Sequence, residues 1–563
     1  MEDFLPYLPP LIKCPSSFSL SWPSEAENLL REIRDGECVF ESVMELVDFI
    51  CLLRRALSFS PAPISRHAAS GIQYFFCQIM SRREYSKWRD EVFPKLANLL
   101  LKLPSLLEEH YRNATNMDIH GEGVMVTTVL RILESQQKGV VCLSQELIAG
   151  LLACSLFCLF PDENRPAKHL PVINLDQLFG TVDFRGTNRR KLRSRIWCIL
   201  IYFERITFFD KCIVSFERRV LYRNDSSHLS YPDAIFWRNS ANSLCEFKAD
   251  TSRLIDYQSG EAVEVYFAGN ILGGDTLVQG TSEEEIRFML SPELIAGMLF
   301  LPAIRDNEAI EIVGAERFST YAGFESEFRF SDVYVDKTGI DALGRRKSRI
   351  VAVDKLCIPR NSEYAEDIYL CRSDRKGIRH KKLLHCFLHE VFINRHYNLH
   401  ATHPNIVGTS VQLMMVMMVV KGVQEDYIKE ILNYACLRRS EINKAFCGFT
   451  YPCKYPCGSM GVATADRECD PNDTAVRAII MWLAASQARR PFITYCTSGR
   501  EVSKHLGEVA SWISSSGWTV GHLWNKLIEY TSNTSMTPVS SGGSSCCEVG
   551  FFQWLQFSME RVS

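Results

Sequence analysis

The stretch "VYFAGNILGGDTLVQGTSEEEIRF", residues 265–288, carries the change of pattern that decides the fold. Hydrophobic residues alternate with other residues from Val263 to Ala268, and this alternation predicts a β-strand with one buried face. Gly273 and Gly274 follow, where the backbone can adopt a positive φ or approach a ligand closely because no Cβ intervenes. The stretch therefore predicts a strand that leads into a glycine-containing loop.

A helix is predicted to begin directly after this loop. Ser282 is a good N-cap residue, and Glu285, three residues later, completes the pattern of a capping box. The apolar side of this helix consists of Ile286, Met289 and Leu290. A second helix is predicted in "SPELIAGMLF", residues 291–300, where a serine cap is followed by proline at the first helical position.

The first turn of the first predicted helix contains three acidic residues, Glu283, Glu284 and Glu285. One interpretation is structural, because a helix dipole stabilises carboxylates at its N-terminus and Glu285 can serve only as a cap. The other is functional, because a glycine loop before a helix N-terminus can hold phosphate or ribose, with carboxylates at its rim for acid/base chemistry. Glycoside hydrolysis needs such carboxylates to protonate the leaving oxygen and to orient water. The residues alone leave both interpretations open.

The crowding of these three carboxylates has a predictable effect on their pKa values. Like charges raise the pKa of at least one carboxylate, whereas the helix N-terminus lowers it. We therefore expect that one of the three can stay protonated near neutral pH, as an acid catalyst requires.

The composition of the chain is that of a globular protein with several domains. Its 563 residues are 46% hydrophobic and 23% charged, which allows roughly two to four domains with buried cores. A net charge of -3 provides no overall attraction to nucleic acid or to an anionic membrane. The longest apolar run, residues 411–420, is shorter than the ~20 residues of a spanning helix, so we expect no membrane partner. The 21 scattered cysteines suggest reduced thiols, in the cytosol or nucleus.

Two regions of different pattern follow one another along the chain. Residues 24–210 have helical periodicity, and "SEAENLLREIRDG" begins with a possible capping box, Ser24 to Glu27. Later residues alternate between helix patterns and short β-rich runs, which indicates a layered α/β domain. The β-rich runs are "CIVSFERRVL", "AVEVYFAG", "AIEIVGA", "SRIVAVDKL" and "RPFITYCTSG". The sequence thus predicts an α+β multi-domain protein, with an all-helical domain at 1–211 and an α/β domain at 212–563.

Three further patterns have a functional and a simpler interpretation. Cysteines at 447, 453, 457 and 469, and histidine pairs at 385/389 and 396/400, could bind metal, but zinc-site spacing is incomplete in both groups. We expect no metal site.

The run "NRRKLRSR", residues 188–195, has the charge to bind nucleic acid or to direct nuclear import. A solvated helix face is the preferred interpretation, so we expect no direct nucleic-acid binding.

The longer run "GGDTLVQGTSEEEIRFMLSPELIAGMLFLP" resembles the signature of poly(ADP-ribose) glycohydrolases, particularly plant ones, in which a glycine-rich loop leads to Gln-Glu-Glu. The resemblance continues through "NEAIEIVGAERFSTYAGF", "RRKSRIVAVDKLCIP", "EINKAFCGF", "WLAASQARRPFITYCTSG" and "WTVGHLWNKLIEY". "LPYLPP" and "HLPVINLDQLF" resemble the family's helical accessory domain. The resemblance implies an α/β/α macrodomain-like catalytic domain behind that helical domain.

The resemblance also implies an activity, a partner and site residues. It implies hydrolysis of the ribose–ribose O-glycosidic bonds of poly(ADP-ribose) with release of ADP-ribose, on the free polymer and on poly(ADP-ribosyl)ated proteins in nucleus and cytoplasm. No metal or organic cofactor is expected. By position, Glu285 matches the catalytic acid/base and Glu284 matches the neighbouring glutamate that holds the ribose hydroxyls. The remaining residues matched to substrate binding are Ile255, Asp256, Gly273, Gly274, Glu283 and Phe324.

Several of these positions depart from the family pattern. Glu283 replaces a ribose-binding Gln, so an acceptor-only carboxylate stands where an amide could donate. The other departures are Tyr266 for Asp, Gly269 for Asn, Asp275 for Gly, Phe324 for Tyr and Ser498 for Phe. They support an alternative hypothesis, that the chain is a catalytically impaired homologue that binds ADP-ribose weakly or serves as an interaction protein.

Two longer segments depart from the family as well. Where the family has a glycine loop that binds diphosphate, residues 465–473 read "ADRECDPND", with no glycine and four acids that repel phosphate. Arg467 can compensate only partly. Residues 374–439 separate two runs that are nearly continuous in the family, and we therefore predict an insertion there.

Overall fold

The structure, a computed structural model, describes most of the chain. The described residues are 2–15, 19–58, 64–113, 116–118, 125–181, 189–205, 212–222, 231–252, 261–278, 280, 282–323, 327–354, 441–450, 460–465, 471–497, 500–534 and 551–560. Within these ranges, no helix combines the length and the apolar character that a bilayer-spanning helix needs.

Helices dominate the first region, as predicted. They are α1 Ser24–Arg34, α2 Val43–Ala56, α3 Arg66–Tyr74, α4 Arg82–Lys87, α5 Phe93–Asn113, α6 Gln145–Leu156, α7 Asp176–Gly180 and α8 Arg189–Arg205. The capping box predicted for α1 is wrong, because Pro23 occupies the N-cap position and Ser24 is already the first helical residue. Gly36, at φ +75, follows the end of this helix.

The first region is not all-helical. It contains the two-residue strands β1 Ile12–Lys13, β2 Leu20–Ser21, β3 Asn116–Met117 and β4 Val126–Thr127, and the longer strand β5 Gly139–Ser144. In β5, Val140, Val141 and Leu143 are buried, so a short apolar run between helices is used as a strand. The domain boundary between residues 211 and 212 stays a prediction.

The second region supplies the remaining strands and helices. The strands are β6 Ile213–Val220, β7 Glu246–Asp250, β8 Ala262–Ala268, β9 Glu308–Val313, β10 Ser319–Ala322, β11 Arg329–Val333, β12 Arg349–Asp354, β13 Gly461–Ala465 and β14 Phe492–Cys496. The helices are α9 Ala234–Arg238, α10 Glu283–Leu290, α11 Glu441–Phe449, α12 Pro471–Gln487, α13 Arg500–Ser515, α14 Val520–Thr534 and α15 Phe551–Glu560. All five predicted β-rich runs contain strands, whereas the other four strands, β7, β10, β11 and β13, were not predicted.

One mixed sheet organises the molecule. Its strand order is β5-β6-β9-β12-β8-β13-β14-β7. The five strands from β12 to β7 are parallel, and β9, β6 and β5 continue the sheet in antiparallel pairing. The carboxyl ends of the five parallel strands therefore lie at one edge, the usual place for a ligand site in an open α/β sheet.

Strand β8 lies in the middle of this sheet and is buried on both faces. Val263 and Val265 belong to one hydrophobic cluster, and Tyr266 and Ala268 belong to the other. The prediction of a single buried face is wrong, because helices cover both sides of a parallel sheet and leave its central strand without a solvent face. The result is the three-layer arrangement expected of an α/β/α domain.

Candidate active site

The loop after β8 turns sharply at its two glycines. Gly273 has φ +74 and Gly274 has φ +45, values at which a side chain would be strained. A Cβ on Gly273 would also lie 2.9 Å from the sulfur of Met298 and 3.0 Å from the ring of Phe288. Backbone hydrogen bonds from Gly274 to Ile271 and from Thr276 to Gly273 close the turn. The loop thus has a fixed path from the sheet edge to α10.

Helix α10 begins with the predicted capping box. The Glu285 amide donates to Ser282 Oγ at 3.3 Å, and the Ser282 amide donates to Glu285 Oε2 at 2.7 Å. The second predicted helix is a 3-10 helix, Pro292–Leu299. The three glutamates therefore occupy the first turn of a helix that starts at the rim of the sheet edge.

Glu285 is held by the loop as well as by its own helix. Its Oε1 accepts a hydrogen bond from the Asp275 amide at 3.0 Å, and its side chain is half-buried. Two glycines make room for this carboxyl group. A Cβ on Gly274 would lie 3.1 Å from Glu285 Oε1, and a Cβ on Gly280 would overlap the carboxyl group. Gly280 was not singled out from the sequence, since nothing in its local pattern marks it.

Glu284 points to the interior of the same loop. It is only 6% exposed, and its Oε1 accepts a hydrogen bond from the Gly273 amide at 3.1 Å. Burial raises the pKa of Glu284 to about 8, the Gly273 hydrogen bond opposes the rise, and the charge of Glu285 adds to it. One carboxyl group of the cluster therefore stays protonated near neutral pH, as predicted, but burial is a larger cause than the predicted crowding.

The departure at Tyr266 has a structural explanation. The Tyr266 hydroxyl donates to Glu264 Oε2 at 3.1 Å, and Arg287 of α10 lies 3.5 Å from the same oxygen. All three side chains are buried. Burial raises the pKa of Glu264, while Arg287 and the Tyr266 hydroxyl lower it. Arg287 thus joins α10 to β8 through Glu264, and the Tyr266 hydroxyl supports this pair inside the fold instead of contributing an acid at the rim.

Three other departures lie at the rim itself. Glu283 is half-buried at the first position of α10. Gly269 is exposed, and a Cβ there would meet nothing within 4 Å among the described residues. The side chain of Asp275 is also exposed. The structural contacts of Asp275 are made by its backbone, since its amide donates to Glu285 and its carbonyl accepts from Arg195.

The basic run of α8 is partly internal. Arg193 is exposed, but Arg195 is only 3% exposed and donates to the carbonyl oxygens of Asp275, Thr276 and Val278. The preferred interpretation as a solvated helix face is therefore wrong for Arg195. The sequence offered no sign of this contact, because it joins residues about eighty positions apart.

Several predicted positions lie outside the described residues. They are Ile255, Asp256, Phe324, Ser498, residues 466–470 with Arg467, the predicted insertion at 374–439, and the paired histidines and cysteines at 385, 389, 396, 400, 453, 457 and 469. Among the described residues, no group of three His, Cys, Asp or Glu side chains is placed to hold a metal ion.

The fold and the site define the class of this protein: a macrodomain-like α/β/α unit behind a helical region, with two anchored carboxylates at the carboxyl ends of its parallel strands. Two family profiles agree with this class. The macro domain fold of poly(ADP-ribose) glycohydrolase matches residues 234–376 and 400–505, and the helical domain of the same family matches residues 80–218.

Similarity to individual proteins extends over the whole chain. Poly(ADP-ribose) glycohydrolase 1 of Arabidopsis thaliana is 41% identical over 585 aligned positions, covering 100% of this chain and 98% of the relative. Probable poly(ADP-ribose) glycohydrolase 2 of the same plant is 36% identical, covering 99% and 98%. Poly(ADP-ribose) glycohydrolase 1 of Caenorhabditis elegans is 34% identical over 99 residues, 16% of this chain. The chain belongs to the poly(ADP-ribose) glycohydrolase family.

Proposed function

We propose that this chain hydrolyses the ribose–ribose O-glycosidic bonds of poly(ADP-ribose) and releases ADP-ribose. The observation that carries the proposal is the anchoring of two adjacent carboxyl groups on one glycine loop. Glu284 accepts from the amide of Gly273, and Glu285 accepts from the amide of Asp275. Both groups stand at the helix N-terminus that follows a central parallel strand, where an anionic ribose-phosphate ligand is favoured.

In the proposed reaction the two glutamates have different roles. Glu285, which is half-buried and at the rim, gives its proton to the leaving ribose oxygen from its protonated form, and the resulting carboxylate takes a proton from the attacking water, which restores the protonated form. Its two amide contacts hold the carboxyl group in position before substrate arrives, which reduces the cost of orienting it. The reaction requires neither a redox step nor a metal-bound nucleophile, so the carboxyl groups suffice.

Glu284 supplies a neutral carboxylic acid at physiological pH. Because burial raises its pKa to about 8, most molecules carry the Glu284 proton at pH 7. A protonated carboxyl group can donate to a ribose hydroxyl while its other oxygen accepts from Gly273. This arrangement suits a residue that holds the sugar without competing with Glu285 for the leaving oxygen.

The proposal is tested by incubating the purified full chain with labelled poly(ADP-ribose) and measuring released ADP-ribose. Glu285→Gln keeps the size of the side chain and removes its acid/base function. General acid–base catalysis contributes roughly 10²- to 10⁴-fold, so we expect the variant to lose activity by that factor. Equal product release by the wild type and Glu285→Gln would overturn the proposed function.

The second candidate is a homologue that binds ADP-ribose without turnover. Two observations favour it: the Tyr266 hydroxyl is used inside the fold, and residues 465–473 contain four acids where phosphate is expected. The same assay separates the two candidates. Retention of labelled polymer on the immobilised protein without release of ADP-ribose would support the second.

We also propose poly(ADP-ribosyl)ated proteins as partners and the nucleus and cytoplasm as locations, without direct nucleic-acid binding. Family membership supports the polymer as the recognised group, and the net charge of -3 gives no overall attraction to DNA. A pull-down of modified and unmodified copies of one acceptor protein tests the partner. Imaging of a fluorescent fusion tests the location, and restriction of the fusion to a single organelle would contradict it.

A further inference from the structure

We propose that Arg195 is a positioning residue for Glu285, supplied by the helical region to the loop that holds the carboxyl group. The proposal rests on the function proposed above, and it assigns a role to the one basic residue of the run 188–195 that is shown to be internal. Arg195 lies on α8, whereas Glu285 lies on α10 and the loop follows β8.

The contact is a clamp on three carbonyl groups. Arg195 Nη1 donates to the Val278 carbonyl at 3.0 Å, and Nη2 donates to the carbonyls of Thr276 and Asp275, the latter at 3.4 Å. A guanidinium group has its donors in one rigid plane and can bridge neighbouring acceptors, which an ammonium group does poorly. Thr276 is fully buried, so its carbonyl cannot be satisfied by water if Arg195 is removed.

The clamp reaches Glu285 through a single residue. The Asp275 carbonyl accepts from Arg195 and from the amides of Val278 and Gly280, both at 2.9 Å. The Asp275 amide, on the other side of the same residue, donates to Glu285 Oε1 at 3.0 Å. Fixing the Asp275 carbonyl therefore fixes the donor that holds the carboxyl group.

The charge of Arg195 is retained at neutral pH. Burial lowers the pKa of Arg195 to about 10, and the carboxylates of Glu285 and Asp275 act in the opposite direction. The group therefore remains a cation under the conditions of the assay.

The test uses the full chain with two variants and a matched control. Arg195→Lys keeps the positive charge but not the planar fork, and Arg195→Ala removes both. Arg193→Ala is the control, since Arg193 is exposed on the same helix two residues earlier. The readouts are kcat and KM for ADP-ribose release, amide hydrogen exchange of residues 270–282, and the thermal midpoint.

We expect Arg195→Lys to lower kcat by roughly 10- to 100-fold, the cost of a misplaced catalytic group, while KM stays within about threefold. Exchange of the amides of Asp275, Val278 and Gly280 should accelerate at least about tenfold, because these amides depend on the clamped loop. Arg193→Ala should match the wild type in all three readouts.

Two results would overturn the inference. One is a kcat and loop exchange rate of Arg195→Lys within about twofold of the wild type. The other is a loss of kcat in both variants that is accompanied by faster exchange across the whole chain, because this pattern indicates general destabilisation. Absence of turnover in the wild type would instead refute the proposed function, and the loop exchange rates would still decide whether Arg195 holds the loop.

Discussion

Glu284 and Glu311 are both buried glutamates of the same domain, yet their pKa values move in opposite directions. Burial raises the pKa of Glu284 to about 8. Burial also acts to raise the pKa of Glu311, but the charges of Arg219 and Arg349 outweigh it and bring the value to about 2. Among the described residues, no arginine pairs with Glu284. Burial thus raises the pKa of both carboxyl groups, and the presence or absence of a neighbouring arginine determines whether the group is charged at neutral pH.

The difference separates a part of the fold that is built for stability from one that is built for chemistry. Glu311 lies in β9, in the antiparallel half of the sheet, where its oxygens are used by two arginines. Glu284 lies at the carboxyl edge of the parallel half and is left with one backbone donor, Gly273. A carboxyl group whose pKa is raised by burial, and which has no cation beside it, is a candidate functional group.

A raised pKa alone does not identify the site, as Glu293 demonstrates. Burial raises the pKa of Glu293 to about 8 too. Glu293 is fully buried, however, and its oxygens accept from the Gln145 side chain and the Glu316 amide. It therefore serves the contact between the helical region and the sheet, and position at the sheet edge distinguishes Glu284 from it.

The largest effect is expected at the charged pair. Glu311→Gln removes the carboxylate that Arg219 and Arg349 share, although Glu217 still lies 3.4 Å from Arg219, and breaking such a buried pair costs about 3–5 kcal/mol of the free energy of unfolding. Chemical denaturation at pH 7 measures this loss. Activity per folded molecule should stay within about threefold of the wild type. A loss of activity without a loss of stability would contradict the assignment of Glu311 to stability rather than to the reaction.

The next effect is a pH dependence created by Glu284. The pKa of Glu284 is about 8 in the fold against an ordinary value of 4.5, so the unfolded chain loses this proton first as the pH rises. Its contribution is therefore fully present below about pH 4.5 and is lost as the pH rises to about 8, by roughly 1 kcal/mol per pH unit. Glu284→Gln should remove this slope, and denaturation from pH 5 to 9 measures it.

Glu293→Gln is the matched control for this experiment. It should remove a similar slope in stability, since the pKa of Glu293 is raised to about 8 by burial as well. We expect kcat/KM of the wild type to decline above about pH 8, where Glu284 loses its proton. This decline should persist in Glu293→Gln and disappear in Glu284→Gln. The same pH profile in both variants would mean that Glu284 has no part in the reaction.

A smaller effect is expected at Gly280. A Cβ at this position overlaps the Glu285 carboxyl group, so Gly280→Ala should displace that group from the Asp275 amide. We expect a fall in kcat of about 10- to 100-fold and a stability loss of about 1–3 kcal/mol. Steady-state kinetics and a thermal melt check both values, and unchanged kcat would show that the position of Glu285 is not set by this loop.

The smallest effect is expected at Gly269, where the space for a side chain is open. Gly269→Asn restores the residue found in the family and should change stability by less than about 0.5 kcal/mol. One added hydrogen bond to a ligand is worth about 0.5–1.5 kcal/mol, which corresponds to roughly a 2- to 12-fold gain in affinity for ADP-ribose. Calorimetric titration measures it, and unchanged affinity would place Gly269 outside the ligand site.

The sequence predicted those parts of the fold that depend on local patterns. The capping box at Ser282 formed because a serine precedes the first helical residue and a glutamate follows at the third. The similar pattern at Ser24 failed because Pro23, one residue earlier, takes the cap position. Four strands were not predicted: β7, "EFKAD", is largely polar, β13, "GVATA", consists of small residues, and β10, "STYA", and β11, "RFSDV", are short segments with few apolar residues.

The remainder of the site depends on contacts between distant residues. The polar residues Glu264 and Tyr266 suggested a solvent face on β8, but Arg287 of α10 allows both to be buried. The arginines at 193 and 195 are alike in sequence, and only the approach of the loop after β8 makes one of them internal. A raised pKa was predicted for one of the three carboxyl groups without saying which, while its place at Glu284 and its main cause, burial, depend on the packing of α10 on the loop.

The most direct test of the account is the ionisation of Glu284 itself. Carboxyl carbons of isotopically labelled glutamate can be followed by NMR from pH 4 to 10, with Glu284→Gln used to assign the resonance. The account predicts a midpoint near pH 8 for Glu284. A midpoint below about pH 5, where an ordinary glutamate titrates, would contradict it, because Glu284 would then be charged at neutral pH and could not supply the neutral carboxyl group of the site.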